Sequence, residues 1–406
     1  MQMQLRPALA VFLTATINSV SNAAEWKLDP RIAVRAGYND NIRLSVDDER
    51  SSPEINIAPA ARFSYETPTS GVSGDLGFEV RRYIDESDFN DEIGRLGLSS
   101  FHSMERSRLG FGIELIKDTT LDSQLEETGV VAFDRVDRWR VSLNPTWTYG
   151  LNERTSVQLG YTYTDVDYDN DPQSNFSNYT TRGGQLSLSR LLSPRATGTI
   201  TATYQQTDND ADIESTYSAV QGGTSYKFSE TISASLFAGI RRSEVEATRN
   251  TFIPILDENN NIVFVPVSSG TQDDDFGYVF SGTLEKQFLR GHTRFTATRD
   301  ISNTVSGLPL QVTRLSWNNL YRFTEILSGE LRLSYYQSEA ANGVGERDRN
   351  YYELQPTFSW RFKQFWTLSG SYRYREQTFD DSSDEAVQNA AYLTLQYDWP
   401  RIAISR

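Results

Sequence analysis

ATGTITATYQ, residues Ala196–Gln205, places Ala196, Gly198, Ile200, Ala202 and Tyr204 on one parity and Thr197, Thr199, Thr201, Thr203 and Gln205 on the other. Side chains of a strand alternate between its two faces, so one face of this segment is apolar and the other polar. The same alternation runs through 138–149, where Trp139, Val141, Leu143, Pro145, Trp147 and Tyr149 interleave with Arg138, Arg140, Ser142, Asn144, Thr146 and Thr148. It recurs at 366–375, with Trp366, Leu368, Gly370, Tyr372 and Tyr374 against Thr367, Ser369, Ser371, Arg373 and Arg375. Each strand therefore separates two solvents. An apolar face about 10 residues long matches a tilted strand crossing a bilayer.

The connections alternate too. Short ones fall at 66–71, 103–107, 149–154, 191–195, 227–231, 288–292, 323–327 and 362–365. Longer, acidic ones fall between them, at 118–134, 165–178, 206–215, 246–275, 337–349 and 380–385. This pattern predicts an all-β, transmembrane, antiparallel up-and-down β-barrel of about 18 strands (16 as the alternative), with short periplasmic turns and long extracellular loops. The first strand is expected at Arg31–Leu44 and the second at Ser52–Thr67. The last three are expected at Tyr351–Phe362, Phe365–Phe379 and Ala386–Trp399.

Composition agrees. The 406 residues hold no cysteine, two histidines, 21 Tyr, 21 Phe and 7 Trp, and the mean hydropathy is −0.52. Disulfides, thiolate metal sites and cysteine nucleophiles are excluded. Asp and Glu number 54 against 39 Lys and Arg, a net charge of −15, which disfavours a nucleic-acid partner. Residues 1–23 read as a signal peptide: Arg6, an apolar core from Pro7 to Val20, then Ser21-Asn22-Ala23 before the cut. The single domain 24–406 is then the barrel, expected in a bacterial outer membrane among lipid and lipopolysaccharide after passage through the barrel-assembly machinery.

YNDNIRL (38–44), SSPEINIAPAARFSYET (51–67) and GVSGDLGFEVRRYIDESDFND (71–91) resemble the type-2 β-barrel porins. That family includes outer-membrane proteins associated with exosortase and exopolysaccharide gene clusters. The resemblance implies a conduit for a secreted polysaccharide, working with periplasmic polysaccharide export proteins, and supplies no catalytic residues. Tyr38, Asp40 and Asn41 match its motif and read best as a strand-top turn.

Sites of chemistry are few. Asp165, Asp167 and Asp169 have the opening spacing of a calcium loop, as do Asp208, Asp210 and Asp212, but Asn170 and Ile213 stand where the loop requires glycine. His102 and His292 flank short turns, so no enzyme, metal or cofactor is expected. Trp147, Tyr149, Trp317, Tyr321, Trp360, Trp366, Tyr397 and Trp399 read as an interfacial girdle. Parity assigns Arg35, Arg62, Arg81, Arg95, Arg108, Arg138, Arg140, Arg314, Arg332, Arg361, Arg373 and Arg375 to the lumen. Fewer carboxylates join them: Asp75, Glu79, Glu114, Glu285 and Glu353, with Tyr336, Tyr351 and Tyr392 as inward aromatics. The arginines either pair with carboxylates across the lumen or form a basic path for an anionic polymer or small anionic solute, with the excess acid expected in the outer loops. Three functions fit: export of an exopolysaccharide, diffusion of general or specific solutes, and surface anchoring or adhesion.

Overall fold

The alternating segments pair into one closed wall. The computed structural model describes residues 25–128, 135–169, 176–256, 262–303, 309–340, 348–380 and 384–405, so the predicted signal peptide lies outside the described residues. The strands are β1 (Glu25–Asn39), β2 (Ser52–Glu66), β3 (Ser70–Tyr83), β4 (Asp91–Ser103) and β5 (Ser107–Thr119). After helix α1 (Thr120–Thr128) come β6 (Asp137–Asn152), β7 (Thr155–Tyr168), β8 (Tyr179–Ser193), β9 (Ala196–Asn209), β10 (Ile213–Lys227), β11 (Ile232–Leu256) and β12 (Ile262–Phe288). The ring continues through β13 (Gly291–Asn303), β14 (Pro309–Arg322), β15 (Leu327–Ala340), β16 (Arg349–Lys363), β17 (Trp366–Phe379) and β18 (Glu385–Asp398). Each strand pairs antiparallel with the next, and β1 pairs with β18, closing an 18-strand up-and-down barrel. Closure leaves no edge for hydrocarbon to face.

The seam differs from the sequence expectation. The first strand begins at Glu25 rather than Arg31 and ends at Asn39, and Leu44 lies in a turn with φ 49°. Pro30 fits inside it because the partner strand is broken there. β18 covers β1 from Arg31 upward, and a short β19 (Ile402–Ser405) covers Glu25–Leu28. Pro30, which lacks an N–H, sits opposite the gap and still accepts a hydrogen bond from the Trp399 N–H at 3.1 Å. Arg401 closes the gap with two bonds to the Asp29 carboxylate, at 2.7 and 2.9 Å.

The eight short connections fall where expected. Several long ones are corrected. Residues 206–215 and 246–275 are mostly strand: β9 and β10 are joined by 210–212 alone, and β11 and β12 pair out to Leu256 and Ile262. Acidic side chains suggest a loop, but an exposed strand beyond the membrane carries them equally well. Asp165 and Asp167 belong to β7 for the same reason. Within 118–134, α1 forms because Leu121 and Leu125, one helical turn apart, share a face; Leu125 packs with Leu44, Tyr351 and Ala386.

The outward face is apolar. Leu76, Phe78, Leu186, Ile200, Leu236, Ile240 and Phe358 are exposed there, and Trp147, Trp317, Tyr321, Trp360, Trp366 and Trp399 ring the short-turn end. Neighbouring rings touch, as at Trp366–Tyr397 and Tyr397–Trp399, both 4.8 Å. Tyr38, Trp139, Tyr204, Tyr278 and Tyr352 form a second ring toward the long-loop end. The step from Trp139 to Trp147 covers roughly 20 Å at ~3.3 Å per residue and a tilt of about 40°. Two aromatic girdles around an apolar belt make this an outer-membrane barrel. Among the described residues no helix is long and apolar enough to cross a membrane.

Candidate functional site: an arginine-lined bore crossed by a helix

Inward parity brings arginines from strands all around the ring into the upper bore, and the wall holds most of them in place. Arg35 of β1 lies 3.2 Å from Glu54 and 3.7 Å from Glu79, with its guanidinium 4.9 Å from the Tyr392 ring centre. Arg81 pairs with Glu79 at 2.9 Å. Arg375 donates to Glu353 at 2.7 Å, and the Tyr351 hydroxyl donates to the same carboxylate at 2.8 Å. Arg373 donates to the Tyr392 hydroxyl at 2.7 Å and stacks on that ring at 5.2 Å, with the Glu353 charge acting on it from farther away. Tyr351 and Tyr392 point inward but are only 2% and 6% exposed. They are platforms beneath the guanidinium groups rather than surfaces a passing glycan could touch.

The remaining inward residues spread along the bore. Glu114 is exposed on the polar face of β5, and Arg95 faces inward from β4. Lower down, Arg62 stands opposite Asp75 in register. The Asp75 carboxylate lies 2.7 Å from where a Cβ on Gly97 would be, so that glycine makes room for it. Toward the short turns, Arg108 covers the Phe101 ring at 4.1 Å, Arg332 pairs with Glu330 at 2.5 Å and Arg294 with Glu285 at 2.9 Å. Arg361 donates to the Glu325 carbonyl at 2.6 Å, holding a turn. On the outward face there, Ser70 Oγ and His102 Nδ1 join adjacent strands at 2.8 Å. The strand-top turn is built by Asp40, which accepts from the Asn389 N–H at 2.6 Å, and by Asn41, which is 1% exposed and donates to the Ser45 and Val387 carbonyls.

No local pattern announces what α1 does with this bore. Its C-terminal end crosses from the β5–β6 wall to β14–β15, nine strands round an 18-strand ring and thus on the opposite side. Glu127 accepts from Arg138 at 3.0 and 3.1 Å and from Arg140 at 2.7 Å. Its backbone carbonyl accepts from Arg314 at 2.9 Å, and the Thr128 carbonyl accepts from Ser338 Oγ. Both carbonyls lie in the last turn, where a helix leaves them without partners, and cations suit that end. Arg138 is 1% exposed because Asp118 (2.9 Å) and Glu127 enclose it. Two acids of the 118–134 connection, expected in an outer loop, therefore belong to the bore. Asp118 and Glu127 turn inward, where the arginines are, because neither charge could be buried alone. Glu54, Arg241 and Asp275 are further bore residues not foreseen, although parity alone would have found Glu54 and Arg241.

Metal chemistry gains no support from the two aspartate triplets. Asp165 accepts from Thr180 at 2.7 Å and Asp210 from Asn178 at 3.0 Å. No group of three or more potential ligands among the described residues could hold a metal ion.

No protein-family model matches this chain, and no curated protein matches it. Among solved structures it is similar to OccAB2 of Acinetobacter baumannii, at 14% identity and a TM-score of 0.40 over 92% of this chain and 98% of that one. The outer-membrane protein OpdK of Pseudomonas aeruginosa matches at 11% and 0.41, over 92% and 99%. The closed form of the ferric-catecholate import receptor Fiu of E. coli K12 matches at 7% and 0.48, over 92% and 81%. All three fall below a TM-score of 0.5.

Proposed function

We propose that the protein is an outer-membrane diffusion channel for small solutes, with a preference for anions. The reading rests on one observation above the others: α1 spans the mouth from β5–β6 to β14–β15. A folded helix has a diameter near 10 Å with its side chains, so it removes much of the cross-section a hydrated polymer would need. A small solute can pass beside it. The polysaccharide-export reading would need that helix to leave, and a surface anchor would need no such lining at all.

Anion preference rests on the arginines that line the bore. Arg35 and Arg140 side chains are 30% and 28% exposed; Glu54 and Asp118 are set back in the wall at 2% and 4%, while Glu79 and Glu127, which pair with those two arginines, are 28% and 24% exposed. Arg373 adds a guanidinium whose hydrogen bond goes to the Tyr392 hydroxyl rather than to a carboxylate. A low-dielectric wall focuses that potential along the bore. The test is the reversal potential of the purified barrel in a planar bilayer under a salt gradient. Anion selectivity supports the proposal, and cation selectivity refutes it.

A further inference from the structure

The lipid-facing surface treats its charges differently at its two ends. Toward the long loops, outward cations have acids beside them: Arg82 pairs with Glu92 at 2.6 Å, Lys117 with Asp137 at 3.7 Å, Arg182 with Asp208 at 4.0 Å and Arg242 with Asp274 at 2.9 Å. At the opposite end of β8, the strand that carries Arg182, stands Arg190. It shares the outward parity of Leu186, Leu188 and Leu192, all exposed, and its register partners, Thr155 and Gly198, bring no charge. Among the described residues no carboxylate lies within ion-pair distance of it. We infer that Arg190, with Arg154 and Arg195 of the adjoining turns, is a binding site on the outside of the wall for the headgroup phosphate of an anionic phospholipid in the short-turn leaflet.

Two turns bring the other arginines to it. The Arg154 carbonyl accepts from the N–H of Leu191, the residue after Arg190, at 2.7 Å, and the Arg154 N–H donates to Asn152 Oδ1 at 2.9 Å. Arg195 lies in the turn after Leu192, its N–H on Ser193 Oγ at 3.3 Å. Both backbones are thus held while both side chains stay exposed. Neither side chain has an ion pair among the described residues, and Glu153 is the one carboxylate in 150–155 and 191–196, so the patch is net positive. Leu151 and Leu192, 51% and 61% exposed, flank it. A charge on the lipid face costs least at the interface, where a guanidinium reaches the headgroups. Arginine gives a phosphate two parallel bonds. The excess of cations favours a headgroup of net negative charge over a zwitterion, whose ammonium the same arginines repel. The leucines of β8 take the acyl chains, which separates a lipid from a free phosphate. The site lies outside the bore and stands whatever the bore carries.

The purified full-length barrel in detergent is given equal amounts of phosphatidylglycerol and phosphatidylcholine, and retained lipid is counted by native mass spectrometry. Phosphatidylglycerol is expected to be retained in preference, and equimolar glycerol phosphate should not displace it. Arg190→Gln should lower the retained fraction about tenfold, the scale of a lost hydrogen bond to a charged group. Arg154→Gln combined with Arg195→Gln should lower it about threefold, as for exposed charges. Arg182→Gln, on the same strand and face at the far end, should leave it unchanged. Equal retention of the two lipids, displacement by glycerol phosphate, or parental binding by Arg190→Gln overturns the inference. So does an equal loss in Arg182→Gln, which would trace binding to overall charge. Should Arg190→Gln fail to fold, the double variant of the two exposed turns decides by the same count, and undiminished retention there overturns the site.

Discussion

Replacing Arg138 with glutamine is expected to destabilise the barrel by about 3–5 kcal/mol, the range for removing one partner of a buried ion pair. The structure assigns the loss mainly to Asp118. That carboxylate is 4% exposed and receives both of its charged bonds from Arg138, at 2.9 Å each. Glu127 contributes little, since it is a quarter exposed and retains Arg140 at 2.7 Å. Two comparisons sharpen the claim. Adding Asp118→Asn to Arg138→Gln removes the stranded charge and should recover most of the loss. Arg332→Gln breaks a pair whose arginine is 57% exposed, and should change stability by less than about 1 kcal/mol. The assay is urea unfolding of the barrel folded in lipid vesicles, followed by fluorescence of its 7 tryptophans. Equal losses for Arg138→Gln and Arg332→Gln, or no recovery in the double variant, would show that the stranded Asp118 charge is not the cause.

The outward and inward faces should respond oppositely to charge: Ile200→Arg, between the two girdles and 59% exposed, should lower stability by roughly 2–4 kcal/mol, while Thr199→Arg on the inward face should fold and change conductance instead. Equal unfolding midpoints would contradict the parity assignment. A peptide tag inserted at Asp212, in the turn joining β9 and β10, should be labelled on intact cells, whereas one at Ser193 should need a permeabilised outer membrane; the reverse pattern would invert the barrel. Replacing Arg35, Arg140 and Arg373 together with glutamine should move the bilayer reversal potential toward zero, and an unchanged value would assign the selectivity elsewhere.

The barrel was legible because a period of two, held over segments such as 138–149 and 196–205, has one meaning for a chain of this composition, and short turns punctuate it regularly. Strand ends were less legible. Asp165, Asp167 and Asp208 read as loop, yet above a membrane the outward face of a strand is aqueous and tolerates them. The first strand was expected only from Arg31, yet Pro30 lies inside it without loss of a ladder bond, because the partner strand breaks there between β18 and β19. In the bore, parity located the arginines but said nothing of depth, so Arg138 at 1% exposure and Arg332 at 57% looked alike. The helix was missed because nine polar-looking residues in an acidic connection hide one apolar pair, Leu121 and Leu125. Its role depends on contacts with Arg314 and Ser338, almost 200 residues away or more, which no local pattern encodes.

Whether small solutes, and not polymer chains, pass this bore is decided by liposome swelling with the purified barrel and a graded series from monosaccharide-sized carboxylates and sugars to long oligosaccharides. Rapid entry of the smallest members is expected, faster for the carboxylates than for neutral sugars of equal size, with a sharp fall as chains lengthen. Entry of long oligosaccharides at rates comparable to the smallest solutes would show that the bore admits polymers.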